Sequence, residues 1–212
     1  MHQNKWHFII VCLFLCSCFS AKQKQIRKLG FGNGVFAVFT TEKGTFVAKL
    51  EYKKSSLAVA NFVGLAQGII PNSVKKTGEP FYDGLKFHRV LKGYMIIGGC
   101  PKGDGTGNAG YFFFDEFDES LKHDKPGILS MENTGPNTNG TIFNITLKAT
   151  PVLDNKNVII GEVISGMDIV NAIQQGDLIK KIEIIKIGRK AKEFNPIKIF
   201  EKNGFNNMIK LK

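Results

Sequence analysis

The sequence predicts a mainly β fold, a closed eight-stranded antiparallel barrel with two short helices. Three observations lead there. The chain has 212 residues and 43% hydrophobic content, enough for one domain with a sizeable core. Its apolar runs are short, and Gly, Asn, Asp and Pro separate them, as strands joined by tight turns require. Eight such runs follow one another, and closing them into a barrel leaves no sheet edge unpaired.

The first twenty residues stand outside this domain. An apolar stretch from Phe8 to Leu15 follows Lys5, and the polar run AKQKQIRK comes soon after, which is the pattern of a signal peptide. The stretch is too short to span a bilayer, which takes about 20 apolar residues. Cys12, Cys16 and Cys18 all lie in this segment, so Cys100 is the one thiol expected in the domain. Leu15-Cys16-Ser17-Cys18 resembles a bacterial lipobox. Two endings stay open, lipid attachment and a membrane tether at Cys18 or simple cleavage near Ser20. Either way the expected location is outside the cytoplasm, in the periplasm or anchored in the bacterial envelope.

Residues 21–34 read as a linker, and the domain begins with a hairpin. Val35 to Thr41 and Thr45 to Glu51 flank the turn Glu42-Lys43-Gly44. Ser55 and Ser56 can cap a helix that Val59, Phe62, Val63 and Ala66 give one apolar face and Gly68 ends. Residues 69–80 hold two prolines and no period, hence a loop. Further strands are expected at Lys86 to Leu91, Tyr94 to Gly99, Gly127 to Glu132, Thr141 to Leu147, Asn157 to Val163 and Lys181 to Ile187. A second short helix carries Met167, Val170 and Ile173 and stops at Gly176. The Gly-, Asp- and Phe-rich connection from Pro101 to Lys125 reads as a functional surface loop.

The domain ends at residue 188, and residues 189–212 form a basic extension. Of the net charge of +11, a balance of +5 falls between Gly188 and Lys212, with seven Lys/Arg against two Asp/Glu. The remainder is dispersed, and no basic stripe alternates with stacking aromatics, so nucleic acid is not an expected partner. Phe194, Ile197, Ile199 and Phe200 suggest that part of the extension packs back on the barrel. His88 and His123 are the histidines of the domain, and no Cys/His cluster has ligand spacing, so neither metal nor cofactor is expected. By strand alternation His88 should point away from the face that carries Arg89.

Two segments carry a resemblance to a known family. Phe87-His88-Arg89-Val90 followed by Gly93-Tyr94-Met95-Ile96-Ile97-Gly98-Gly99 resembles the cyclophilin signature. So does Ser130-Met131-Glu132-Asn133-Thr134-Gly135-Pro136-Asn137-Thr138-Asn139-Gly140. Leu153-Asp154 with Val158 to Gly161, and Gly166-Met167-Asp168-Ile169-Val170, extend the match over residues 35–188. The resemblance implies a peptidyl-prolyl cis-trans isomerase, a rotamase that assists protein folding and binds proline-containing segments of client proteins, here as a monomer. It assigns Arg89 to catalysis, and Tyr94, Met95, Asn144 and Leu153 to the proline pocket. Asn133 holds the bound peptide by its backbone.

The same resemblance exposes departures. Ile97 and Ile142 stand where the family has glutamines that orient the arginine and contact the peptide, which an isoleucine cannot do. Asn144 replaces a phenylalanine on the pocket floor, Asn157 a histidine at the rim, and Glu132 a small residue. Two function classes follow: an isomerase with a remodelled site, supported by Arg89, Met95, Asn133 and Leu153 together, or a weakly catalytic or inactive proline-peptide binding or chaperone module.

Overall fold

The computed structural model describes residues 21–203 and 209–210, so the expected signal segment and Cys18 lie outside the described residues. Among the described residues ten strands form, in chain order β1 (Gly34–Thr41), β2 (Thr45–Leu50), β3 (Arg89–Leu91), β4 (Met95–Gly98), β5 (Tyr111–Phe112), β6 (Ile128–Met131), β7 (Phe143–Thr146), β8 (Ile159–Ser165), β9 (Ile179–Ile187) and β10 (Ile209–Lys210). Eight of them make one antiparallel sheet ordered β3-β4-β7-β6-β8-β2-β1-β9, and β5 pairs with β10 apart from it.

The sheet curls into a half-barrel and does not close, against the sequence expectation. β3 is only three residues long, because residues 86–88 leave the ladder that the sequence expects from Lys86. The outer edges β3 and β9 therefore share no ladder. A single bridge, Lys86 to Leu178, and loop hydrogen bonds such as Phe87 N–H to Asp177 O (2.9 Å) span the gap. Those bonds satisfy backbone groups that an open edge would leave bare.

Helices are also more numerous than expected. Residues 21–28 are helical (α1), followed by α2 (Ser56–Ala66), α3 (Met167–Ala172), α4 (Arg189–Glu193) and α5 (Pro196–Asn203), with a 3-10 turn at Pro151–Leu153. Helix α1 occupies part of the expected linker. It buries Ile26 against Phe36, Val38, Val47, Ile185 and Ile187, and its Lys22 pairs with Glu183 on β9. In the C-terminal extension Phe194 and Phe200 are buried as their apolar character requires, while Ile197 stays exposed.

Helix α2 starts where the two serines predict, but by another device. Ser55 Oγ donates to Ile159 O (2.6 Å) instead of capping. The free N–H of Leu57 donates to Glu116 Oε2 (2.8 Å), and Ser56 Oγ donates to Glu116 Oε1 (3.1 Å). A carboxylate from the long loop thus caps the helix and meets its positive end. Inside the curl α2 packs its Phe62 against the aromatic cluster of Phe39, Tyr82 and Phe143.

Candidate active site

The site lies on the outer face of the curl, and sheet register assembles it. Arg89 on β3 lies opposite Ile97 on β4, Ile97 opposite Asn144 on β7, and Asn144 opposite Ser130 on β6. Directly opposed residues share a face, so these four form one row across four strands. Met95 and Thr146, two residues along, continue the same face, whereas Val90, Ile96, Ile145 and Leu129 face the core.

A cavity of about 760 Å³ opens beside this row. Arg89, Ile97, Asn133 and Ile142 line it, joined by Glu132, Phe112 and the loop from Asp104 to Asn108. Arg89 is exposed and makes no hydrogen bond or ion pair among the described residues. Ile97 across from it has no polar atom to offer, as the sequence foresees. The Asp104 loop is shaped by Cys100, whose buried sulfur accepts the N–H groups of Gly105 (3.2 Å) and Gly107 (3.3 Å).

His88 also lines the cavity, on the same side as Arg89. The alternation that predicted the opposite face applies only within a strand, and His88 precedes β3. Burial lowers its pKa, with the Arg89 charge acting the same way and Asp104 opposing. Its Nδ1 and the Oγ1 of Thr141, another lining residue, are buried without hydrogen-bond partners among the described residues.

Five other predicted residues do not line the cavity, though Met95 and Asn144 share the face of Arg89. Tyr94, Met95, Asn144, Leu153 and Asn157 are absent from the lining of this cavity. Tyr94 and Leu153 are half-buried, and Met95, Asn144 and Asn157 are buried. Asn133 lines the groove with its side chain tied to Lys156 O (2.7 Å). Asn144 Nδ2 donates to Glu132 Oε2 (2.7 Å), and Asn157 Nδ2 donates to the same oxygen (3.4 Å) and to Met131 O (2.9 Å). The carboxylate that stands in place of a small residue is therefore gripped by both Asn144 and Asn157. Burial raises the Glu132 pKa, while the Asn144 bond and the Arg89 charge pull it down.

The polar chain continues inward. Ser130 Oγ lies 2.9 Å from Asn144 Oδ1 and 3.1 Å from His123 Nε2, and His123 Nδ1 lies 2.9 Å from Asp154 Oδ1. Serine, histidine and aspartate stand in the order of a hydrolase relay, but Ser130 and His123 are fully buried, so the serine oxygen meets no substrate. Burial lowers the His123 pKa despite the Asp154 carboxylate. The chain holds the site's floor in place.

An arginine with uncommitted donors, on a strand beside an open peptide-sized groove in a curled antiparallel sheet, is the geometry that the motifs imply. A family-wide profile described as cyclophilin type peptidyl-prolyl cis-trans isomerase/CLD matches residues 36–199. The chain belongs to the cyclophilin-type peptidyl-prolyl cis-trans isomerases.

Relatives of this cyclophilin bear the same description. A probable peptidyl-prolyl cis-trans isomerase A of Mycobacterium bovis is 47% identical over 132 residues, covering 60% of this chain and 72% of the relative. A peptidyl-prolyl cis-trans isomerase B of Streptomyces anulatus is 41% identical over 145 residues, covering 66% and 83%. Among solved structures, a cyclophilin-type isomerase of Cryptosporidium parvum superposes with a TM-score of 0.62 at 30% identity, covering 73% of this chain and 98% of that one. The Cryptosporidium protein was also solved in the presence of the dipeptide Ala-Pro, and that structure superposes with a TM-score of 0.59 at 30% identity, covering 73% of this chain and 99% of that one.

Proposed function

We propose that this isomerase turns X-Pro bonds by means of Arg89, on client proteins outside the cytoplasm. The barrier to rotation, roughly 18–20 kcal/mol, comes from amide resonance, so a catalyst need only hold the twisted amide better than either planar form. In the twisted form the proline nitrogen regains a lone pair, which the Arg89 guanidinium meets with a charged donor. The single observation that carries this reading is that exposed guanidinium, on the groove and without a hydrogen-bond or ion-pair partner among the described residues. The Ala-Pro dipeptide present with the Cryptosporidium relative supports a proline-containing segment as the ligand.

A charge-assisted hydrogen bond is worth about 1.5–3 kcal/mol, and each 1.36 kcal/mol is tenfold in rate, so Arg89→Ala should lower kcat/KM by about ten- to a hundredfold. A proline-isomer assay on a short X-Pro peptide checks this. Unchanged turnover would overturn the role of Arg89 and favour the binding-module reading.

The location outside the cytoplasm rests on the apolar stretch from Phe8 to Leu15 and the cysteine at 18. A second support is charge. Arg27 of α1 shares a cavity of about 460 Å³ with Lys186, Arg189 and Lys192, against the single acid Glu193, and such a face suits anionic headgroups near a tether. Intact mass of the protein purified from its own host should show a chain lacking residues 1–17, with or without lipid on Cys18. A full-length N-terminus would overturn this location.

A further inference from the structure

We propose that Glu132 is a specificity-determining residue, selecting proline segments that carry a basic side chain beside the isomerised bond. This rests on the groove being the peptide site. Glu132 lines that groove together with Arg89, so a peptide whose X-Pro amide meets Arg89 brings its flanking side chains alongside the carboxylate.

The carboxylate is built in rather than passing by. Asn144 and Asn157, from β7 and from the segment after the 3-10 turn, both donate to its Oε2. Its Oε1 makes no hydrogen bond among the described residues and stays available to a ligand. A side chain clamped at one oxygen loses little further freedom when a cation binds the other, which removes part of the entropy that weakens ordinary surface pairs.

Asp104 lines the same groove and adds a second carboxylate, with Oδ1 engaged by the Thr106 N–H and hydroxyl (both 2.8 Å). Against these stands Arg89, whose donors serve the amide. His88 adds little positive charge, because burial favours its neutral form. An acidic flanking residue therefore meets two like charges, and a lysine or arginine meets two opposite ones. The Asn144 and Asn157 exchanges, costly for a plain proline pocket, gain a reason as the residues that hold Glu132.

The test uses peptides that differ only in lysine, alanine or glutamate next to the X-Pro bond, with the wild type and Glu132→Gln. Both kcat/KM and, by fluorescence anisotropy, Kd are measured. The wild type should favour the lysine over the glutamate peptide by about five- to tenfold, less as salt rises, and Glu132→Gln should bring that ratio close to one. A wild-type ratio near one at low salt, or a ratio that survives in a folded Glu132→Gln, overturns the proposal. The salt series on the wild type stands even if the variant folds poorly: a preference that salt leaves unchanged also overturns it. A charge preference in Kd without turnover on any peptide would keep Glu132 in its role and overturn the Arg89 mechanism. Turnover on all three peptides at equal rates would do the reverse.

Discussion

Strand β7 has two faces, and they are built by different rules. Phe143 faces the core, where its ring lies 5.8 Å from those of Phe39 and Phe62, 5.7 Å from Tyr82 and 6.3 Å from Phe87, all four edge-on. The next residue, Asn144, is equally buried but faces the site, where its amide links Ser130 to Glu132. On the first face stability comes from shape and apolar area, with aromatic edges and faces matched. On the second it depends on each polar atom finding a partner. Burial alone therefore does not separate a core from a site, and two adjacent residues at the same depth answer to different chemistry.

Substitutions on the two faces should separate accordingly. The largest effect is expected at Phe143→Ala, which leaves a cavity among four aromatic rings and should cost about 3–5 kcal/mol in urea unfolding. A loss near 1 kcal/mol would mean that the aromatic cluster collapses to fill the space. A smaller loss, about 1–3 kcal/mol, is expected for Asn144→Phe, because the ring overpacks a filled position and leaves Glu132 without its closest donor. Adding Glu132→Ala should recover most of that loss by removing the stranded carboxylate and making room. If the double variant is no more stable than Asn144→Phe alone, the two residues are not coupled and the clamp is not what holds this face. The smallest effect on stability belongs to Arg89→Ala, within about 0.5 kcal/mol, since an exposed side chain with no hydrogen-bond or ion-pair partner among the described residues holds neither face together. Its effect falls on turnover instead.

Much of the fold was legible in the sequence. Alternating apolar residues with turn punctuation located the eight strands of the main sheet, and the hairpin around Gly44 formed where it was read, with Gly44 at φ 137 and Thr41 N–H bonded to Gly44 O (2.8 Å). The errors have local causes. Residues 86–88 carry strand-like spacing, but the Phe87 N–H donates to Asp177 O and the Phe87 carbonyl accepts from the Gly176 N–H, both in a loop, so strand alternation does not reach His88. Residues 21–28 have few apolar positions, and a helix with Ile26 as its one buried apolar side chain leaves almost no periodic signal. Glu116 caps α2 from almost sixty residues away, and nothing near Ser56 in the chain announces it.

The site divides the same way. Local motifs were enough to name Arg89, Ile97, Asn133 and Ile142, and all four line one groove. Motif spacing preserves strand register, and register is what sets residues opposite one another. The sequence by itself thus determined the family and the strands of the main sheet, because these follow from patterns a few residues long. Only the tertiary structure decided that the sheet stays open between β3 and β9 and that His88 shares the groove. It also decided that Asn144 and Asn157, which the sequence shows as losses from a proline pocket, close on one oxygen of Glu132. A hydrogen bond joins atoms within about 3 Å, and which donors come that near an acceptor depends on how distant segments pack, not on how far apart they lie along the chain.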